Sequence, residues 1–456
     1  MKHHDTPADV SLYATRRGFL KASGIAAAGG LSSLMLPGGA AGSVCRSLAG
    51  AAALPEELYW KVVRAQFGLE QGLIYMNTGT EGAMPRSVVA SSADCAKRFC
   101  ASPTYSMGHD EDFEQVQTKN RQVVAEFLGA DPGEIVLTTN TTDGVHMAIN
   151  GLDFAAGDEI ITTLHEFPSA TSPLYILRDR RGVVVRELAL PSPAAAKQDI
   201  IDLFEGAITA QTKALCFCHI NYTTGLRMPV KELCALAQQR GIISIVDGAH
   251  STGMLDYDLH DLGCDFYATA GHKWLCGPPG TGMFYVRDAA NNPHGLWPVL
   301  TEAYEYLQWM SITDVLQNRG QQNTPCLVAM LDAIVFQETI GKQKIEQRVL
   351  ALQAYAKEKI IAAWGEECLL TPLGDDELCS GLVAFNPVGD TGTISCGGIY
   401  TALAEEHNIY LRSVWFKDTA ADADLTQGVR LSTHIYNSFD EIDEVVQKIQ
   451  LVIKSR

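Results

Sequence analysis

From about residue 134 the chain alternates short apolar runs with amphipathic stretches, and this alternation constrains the fold more than any other feature. Ile135–Thr139, Glu159–Leu164, Val183–Leu188, Lys213–Ile220, residues 242–247 (IISIVD), residues 265–270 (DFYATA) and Gly282–Arg287 read as strands. Thr142–Asn150, Pro168–Arg180, Ile200–Ile208 and Pro229–Arg240 read as helices, the last with Pro at a first-turn position. Strands joined by helices pair in parallel and are covered on both faces. The expected class is therefore α/β, with a large domain built on a mostly parallel seven-stranded sheet. Near residue 311 the pattern changes to long helical stretches, Leu327–Ile340 and Lys342–Ala363, then mixed elements ending in a helix over Asp440–Ile453. The large domain is expected over 76–310. Interdomain helices and a smaller α+β C-terminal domain follow over 311–456, with residues 54–75 packing on the small domain. No internal repeat is present.

In an open α/β sheet, ligands sit outside the carboxyl ends of the strands. Asp247 closes one apolar run and Lys273 lies just past the end of the next, so both can reach one ligand. That pairing suits pyridoxal 5'-phosphate (PLP). A lysine amine forms a Schiff base with the cofactor aldehyde, and a carboxylate keeps the pyridine nitrogen protonated so that the ring accepts electrons. Taken singly, the two residues read as a solvated Lys and a helix-capping Asp; together they point to the cofactor.

The first 53 residues read as an export signal and linker. Thr15-Arg16-Arg17-Gly18-Phe19-Leu20-Lys21 is a twin-arginine motif, and an Ala/Gly/Leu run follows to about Leu36. Small residues continue to Ala53 and include A-x-A cleavage candidates such as Ala49-Gly50-Ala51. The run is too short and Gly-rich for a stable membrane anchor, which needs roughly 20 apolar residues. Val44 before Cys45 argues against a lipoprotein. The twin-arginine machinery carries folded proteins, so the expected location is the periplasm, with the cofactor inserted before export. Folding in the reducing cytosol would also let most of the 12 cysteines remain free, buried thiols. No C-x-x-C pair occurs and no metal site is expected; Cys216 and Cys218 read as strand core. The first 51 residues hold five Lys/Arg and two Asp/Glu, leaving 30 positive against 51 negative side chains, a net of −21. That balance speaks against nucleic acid or an anionic membrane surface as a partner.

With Asp247, His250, Lys273 and the run His272–Gly280 (HKWLCGPPG), nearly all of the chain beyond the signal resembles the class V aminotransferase family of fold-type I PLP enzymes. Within the family it most resembles the isopenicillin N epimerase-like branch. It is similar again to exported twin-arginine members that mature pyoverdine siderophores. The resemblance implies a homodimer with active sites at the subunit boundary. It places Thr141 and Thr142 on the cofactor phosphate. They lie in a strand-to-helix turn whose free N–H groups favour an anion on physical grounds alone, ordinary N-capping being the alternative. His272 is implied as a second phosphate contact, and Thr269 as a weaker one because Ala270 stands at the usual Ser position. Phe167 occupies the place of the ring-stacking residue, with His165 the alternative and a simple core position the bland reading. His250 is implied to contact the cofactor's phenolic oxygen, and Tyr222, beside Asn221, stands where the family has an Asn. Arg430 matches the arginine that grips the substrate carboxylate, with Arg412 a second contact. Gln321 and Thr324 resemble the segment that reaches the neighbouring subunit's phosphate, although the usual Gly-Thr pair is absent.

Two lookalikes fail. GPPGTG at Gly277–Gly282 copies the start of a nucleotide-binding loop, but Met283-Phe284 follow in place of Lys and Ser/Thr. Ser413–Asp418 (SVWFKD) lacks the nucleophilic Cys of a cysteine desulfurase, and the nearest upstream, Cys396, precedes a helix. Lys273 is the natural base for a Cα proton, and amino-group transfer needs little more. Elimination needs only a leaving group on the substrate. Epimerisation needs a second acid on the opposite face, and the sequence singles out no Cys, His or Tyr for it. The expectation is aminotransferase-type chemistry, or a related side-chain modification, on an amino-acid or peptide-like substrate. Epimerisation and C–S lysis stand behind it. A degenerate, cofactor-free binding protein is the non-enzyme alternative, and the intact Asp247/Lys273 pair argues against it.

Overall fold

The computed structural model describes residues 40–102, 112–194, 196–374, 376–389, 394–419, 421–422 and 424–456. The twin-arginine motif and the apolar run after it lie outside the described residues.

The strands in chain order are β1 (Ile74–Tyr75), β2 (Ile135–Thr138), β3 (Glu159–Thr163), β4 (Val184–Leu188), β5 (Thr212–Cys218), β6 (Ile243–Asp247), β7 (Phe266–Ala270), β8 (Gly282–Val286), β9 (Leu382–Phe385), β10 (Ile409–Tyr410), β11 (Arg412–Phe416) and β12 (Thr426–Ser432). Seven of them form the central sheet, in the order β2-β8-β7-β6-β5-β3-β4. Strands β3 to β7 run parallel, and β8 is antiparallel to both neighbours. The alternation of side chains along each strand sorts the core into two layers. Val136, Ile160, Ile245 and Phe284 pack under helices Thr141–Gly151 and Pro168–Arg181. Ile135, Leu137, Ile161 and Val246 face the other way, against helices that include Val230–Arg240 and Thr324–Ile340. The edge strand β4 alternates exposed and partly buried residues, whereas β5 to β7 are almost wholly buried and read as near-continuous apolar runs.

The C-terminal part carries the antiparallel sheet β11-β12-β9, covered by helices Lys342–Trp364, Cys396–His407 and Phe439–Ser455. The N-terminal segment joins it. β1 pairs in parallel with β10, and the buried Arg348 reaches back to Glu57 at 2.5 Å. Among the described residues no single helix is long and apolar enough to cross a membrane. The apolar helix Thr324–Ile340 breaks by 79° from its successor and buries its face in the core.

One segment departs from expectation. Residues Ala40–Ala51, assigned above to signal and linker, form a helix whose Leu48 and Ala51 are only 1% and 5% exposed. Val44, Leu48 and Ala51 recur at helical spacing and join the main core, against helices Arg86–Ala101 and Thr324–Ile340. The small-residue run that resembles a cleavage region is thus a packed helical face. Leu48→Ala should lower stability by about 2–4 kcal/mol in denaturant unfolding. Arg46→Ala, on the exposed side of the same helix, should change it by under about 0.5 kcal/mol. Equal effects would mean that the helix is not docked.

Candidate active site

The parallel order of β5, β6 and β7 brings the two central residues together. Asp247 ends β6, in register with Cys218 of β5 and Ala268 of β7. Its Oδ1 accepts the Ala249 N–H at 2.9 Å and its Oδ2 accepts the Ser169 hydroxyl at 3.3 Å. Burial pushes the carboxyl up, while the Ala249 N–H, Lys273 and Ser169 favour its charged form. Lys273 follows the end of β7. Burial lowers its ammonium to about 8; Asp247 opposes the shift and Arg430 adds to it. A larger share of the amine is neutral, and therefore nucleophilic, than in an exposed lysine.

The loop that carries Lys273 is pinned from three sides. The Trp274 carbonyl accepts the Gln337 amide at 2.6 Å and His434 Nε2 at 2.8 Å. The Trp274 indole donates to His250 Nδ1 at 3.2 Å, and His250 Nε2 lies 3.3 Å from Lys273 Nζ. Burial, reinforced by Lys273, Arg430 and His272, keeps His250 neutral. With Nδ1 accepting, its proton sits on Nε2 and faces the amine. On the third side Gly82 N donates to the His272 carbonyl at 2.8 Å, and a Cβ on Gly82 would come within 1.9 Å of the Lys273 carbonyl oxygen. Only glycine allows that approach.

The start of helix Thr141–Gly151 supplies the anion end. Asn140 caps it by accepting the Asp143 N–H at 3.0 Å. Thr141 is buried with its hydroxyl unpartnered, and His272 Nδ1 is likewise buried and unpartnered. Thr142 is exposed. Thr269 does not join them. It faces the opposite side of β7 from Ala268 and Ala270, and its hydroxyl is engaged by the Gly248 carbonyl at 2.8 Å and by Thr252 at 2.7 Å. Strand alternation decided this.

Phe167 is 49% exposed, at the head of helix Pro168–Arg181, with Lys273 Nζ 5.9 Å from its ring centre. His165 is instead buried, tied to Thr223 at 3.1 Å and packed on Phe416. Tyr222 meets Phe167 edge to face at 5.2 Å. Asn221 is fully buried and its carbonyl oxygen caps the turn by accepting from Thr223 and Thr224, which leaves its amide nitrogen unpartnered. Arg430 is buried and donates to the Tyr222 carbonyl at 2.5 Å, its Nε unpartnered. Burial, then Arg412, lowers it to about 9. Arg412 is exposed and directly opposite it across β11 and β12. Gln321 is exposed and Thr324 buried at the head of helix Thr324–Ile340, the helix that reaches the Lys273 loop through Gln337.

The Aminotransferase class-V family matches residues 74–445. The chain belongs to the class V aminotransferase family. Among relatives, isopenicillin N epimerase from Streptomyces clavuligerus is 29% identical over 408 residues, 86% of this chain and 97% of its own. The enzyme of that name from Amycolatopsis lactamdurans is 27% identical over 410 residues, 87% and 99%. A probable cysteine desulfurase from Halalkalibacterium halodurans is 25% identical over 397 residues, 83% and 92%. Among solved structures, a cysteine desulfurase from Thermococcus onnurineus superposes with a TM-score of 0.73 at 23% identity, covering 87% of this chain and 98% of its own. The class V fold is PLP-dependent and of fold type I. The residues present here fit that cofactor: a depressed amine, a buried carboxylate, and two buried polar atoms at the anion end that lack partners.

Several residues of this class V site escape sequence reasoning. Ser169 steadies Asp247, Trp274 orients His250, and residues 77–82 (NTGTEG) press glycines against Lys273 and Arg430. Glu166 is a further buried carboxyl, raised to about 8 by burial and by Asp247 against the Thr163 hydroxyl. Of these only the clustered glycines leave a trace in the sequence.

Because imine formation needs the neutral amine, PLP uptake by the apoprotein should rise with pH around a midpoint near 8, followed by cofactor absorbance. Arg430→Leu should move that midpoint upward, since Arg430 helps to lower Lys273. Between about 8 and the ordinary value of 10.5 the unfolded chain holds a proton that the folded apoprotein lacks. Stability of the apoprotein should therefore gain from rising pH in that window, and Lys273→Met should remove the gain.

Proposed function

We propose that this protein is a PLP-dependent epimerase-type enzyme, inverting the Cα centre of an amino-acid or peptide-like substrate. One observation carries the reading. Tyr222 meets Phe167, the residue at the ring-stacking place, edge to face at 5.2 Å, and its carbonyl accepts from Arg430, the arginine matched to the substrate carboxylate. Phe167 and Tyr222 follow the neighbouring strands β3 and β5, which supports Tyr222 as the second acid that inversion needs. Two relatives named isopenicillin N epimerase, aligned over almost their whole length, support the same reading. The absence of Cys from residues 413–418 argues against desulfurase chemistry.

Bound PLP supplies an electron sink that makes a Cα–H bond acidic. Asp247 would keep the pyridine nitrogen protonated, and Thr141 and His272 would hold the phosphate. Arg430 fixes the substrate carboxylate and so sets which face of Cα meets Lys273. Lys273 takes the Cα proton, with the His250 Nε2–H beside it to orient the amine. Tyr222, whose phenol burial keeps protonated, delivers a proton from the other side. Amino-group transfer is the second reading, because Lys273 alone suffices for it.

We also propose that the enzyme is exported folded by the twin-arginine route, acts in the periplasm on a secreted peptide such as a siderophore precursor, and works as a homodimer. The motif at Arg16-Arg17 supports export, and the described cysteines are all free, most of them buried, as folding in a reducing compartment leaves them. Trp297, Leu300, Tyr304, Tyr306 and Trp309 crowd one exposed stretch, Trp309 at 74%, as a subunit boundary would require.

Tyr222→Phe should slow inversion by about 100-fold or more. Exchange of the Cα hydrogen with solvent deuterium, retaining configuration, should persist in the variant and vanish in Lys273→Ala. Stoichiometric keto acid and pyridoxamine phosphate from the wild-type enzyme would sink inversion in favour of amino-group transfer.

A further inference from the structure

We infer that the substrate carries a second anionic group, read by Arg412, in addition to the α-carboxylate held by Arg430. The inference rests on the substrate site proposed above. Arg412 and Arg430 are direct partners in the antiparallel ladder of β11 and β12. Both side chains therefore leave the same face, with Cβ atoms about 4.5–5.5 Å apart, a spacing at which like charges repel. Among the described residues Arg412 forms no ion pair, and Arg430 is bonded only to the neutral Tyr222 carbonyl. Among the described residues the pair is thus two positive charges without a counterion, in a chain whose formal net charge is −18.

The surroundings divide the pair into two seats. Two residues beyond Arg430, on the same face of β12, Ser432 is fully buried with an unpartnered hydroxyl, and Arg430 Nε is buried and unpartnered as well. Gly79 opens the space between them. A Cβ there would lie 2.9 Å from both Arg430 Nη2 and Ser432 Oγ and 3.2 Å from His250. This inner seat suits one carboxylate, gripped by Arg430 and Ser432. One carboxylate leaves Arg412 uncompensated. Arg412 lies in the more exposed position, where the neighbouring pair on this face, Val414 and Gly428, is small. The ligand that neutralises both is an α-amino acid, or a peptide ending in one, with a side-chain or terminal carboxylate farther out.

The test is calorimetric titration of the PLP-loaded protein with α-methyl amino acids, which have no Cα proton to lose. They are offered as acid and amide pairs of increasing length: α-methylaspartate, α-methylglutamate and α-methyl-2-aminoadipate, each against its side-chain amide. At least one acid should bind about tenfold or more tightly than its amide. Arg412→Gln should bring that ratio close to one, while Arg430→Gln should weaken acid and amide alike. Acids that bind no better than their amides overturn the inference, as does a preference that survives in Arg412→Gln. Failure of every acid and every amide to bind would overturn the amino-acid reading of the site, and this inference with it.

Discussion

A lysine amine and a carboxylate, both withdrawn from water at the ends of adjacent parallel strands, set the terms for the rest of the molecule. Burial alone would drive each toward its neutral form, and each holds the other's charge in part. Shared burial leaves the amine nucleophilic without isolating the acid. Strands β6 and β7 supply the backbone for this, and their pairing in the buried middle of the sheet is the reason the two ends cannot drift apart. The pins on the Lys273 loop, from Trp274, His434, Gln337 and Gly82, hold the amine on one side of Phe167.

Around that pair the site is asymmetric. Lys273 and His250 pair a base with a neutral partner, while Phe167 offers an exposed aromatic ring with the Tyr222 ring at its edge. A single base permits proton removal and return from one side only. The Tyr222 phenol, carried on a turn that Asn221 caps, is the group through which the proposed inversion would differ from simple proton exchange. The arginines add a second asymmetry, one buried beside Gly79 and one open toward solvent.

Much of this was legible in advance. The seven strands and the helices between them follow the apolar runs because parallel strands, buried on both faces, show themselves as uninterrupted hydrophobic stretches. Lys273, Asp247, His250, His272 and Arg430 lie close enough to influence one another's charge, and Thr141 heads its helix with a buried, unpartnered hydroxyl. Thr269 does not join them, because one step along a strand reverses a side chain, and no composition records which step faces the ligand. The packing of helix Ala40–Ala51 was not legible, because small residues at helical spacing look alike whether they form a linker or pack against a core.

The chain's own order of residues determined the fold class, the cofactor and the chemical identity of its two central groups, since those depend on periodicity and on functional groups at strand ends. Tertiary structure decided which groups work together. Ser169 meeting Asp247, Trp274 orienting His250, Tyr222 meeting Phe167, and two arginines facing each other all join residues that are distant in the chain or turned by local geometry. Such contacts depend on register and side-chain direction, which arise only when the sheets close and their faces are chosen.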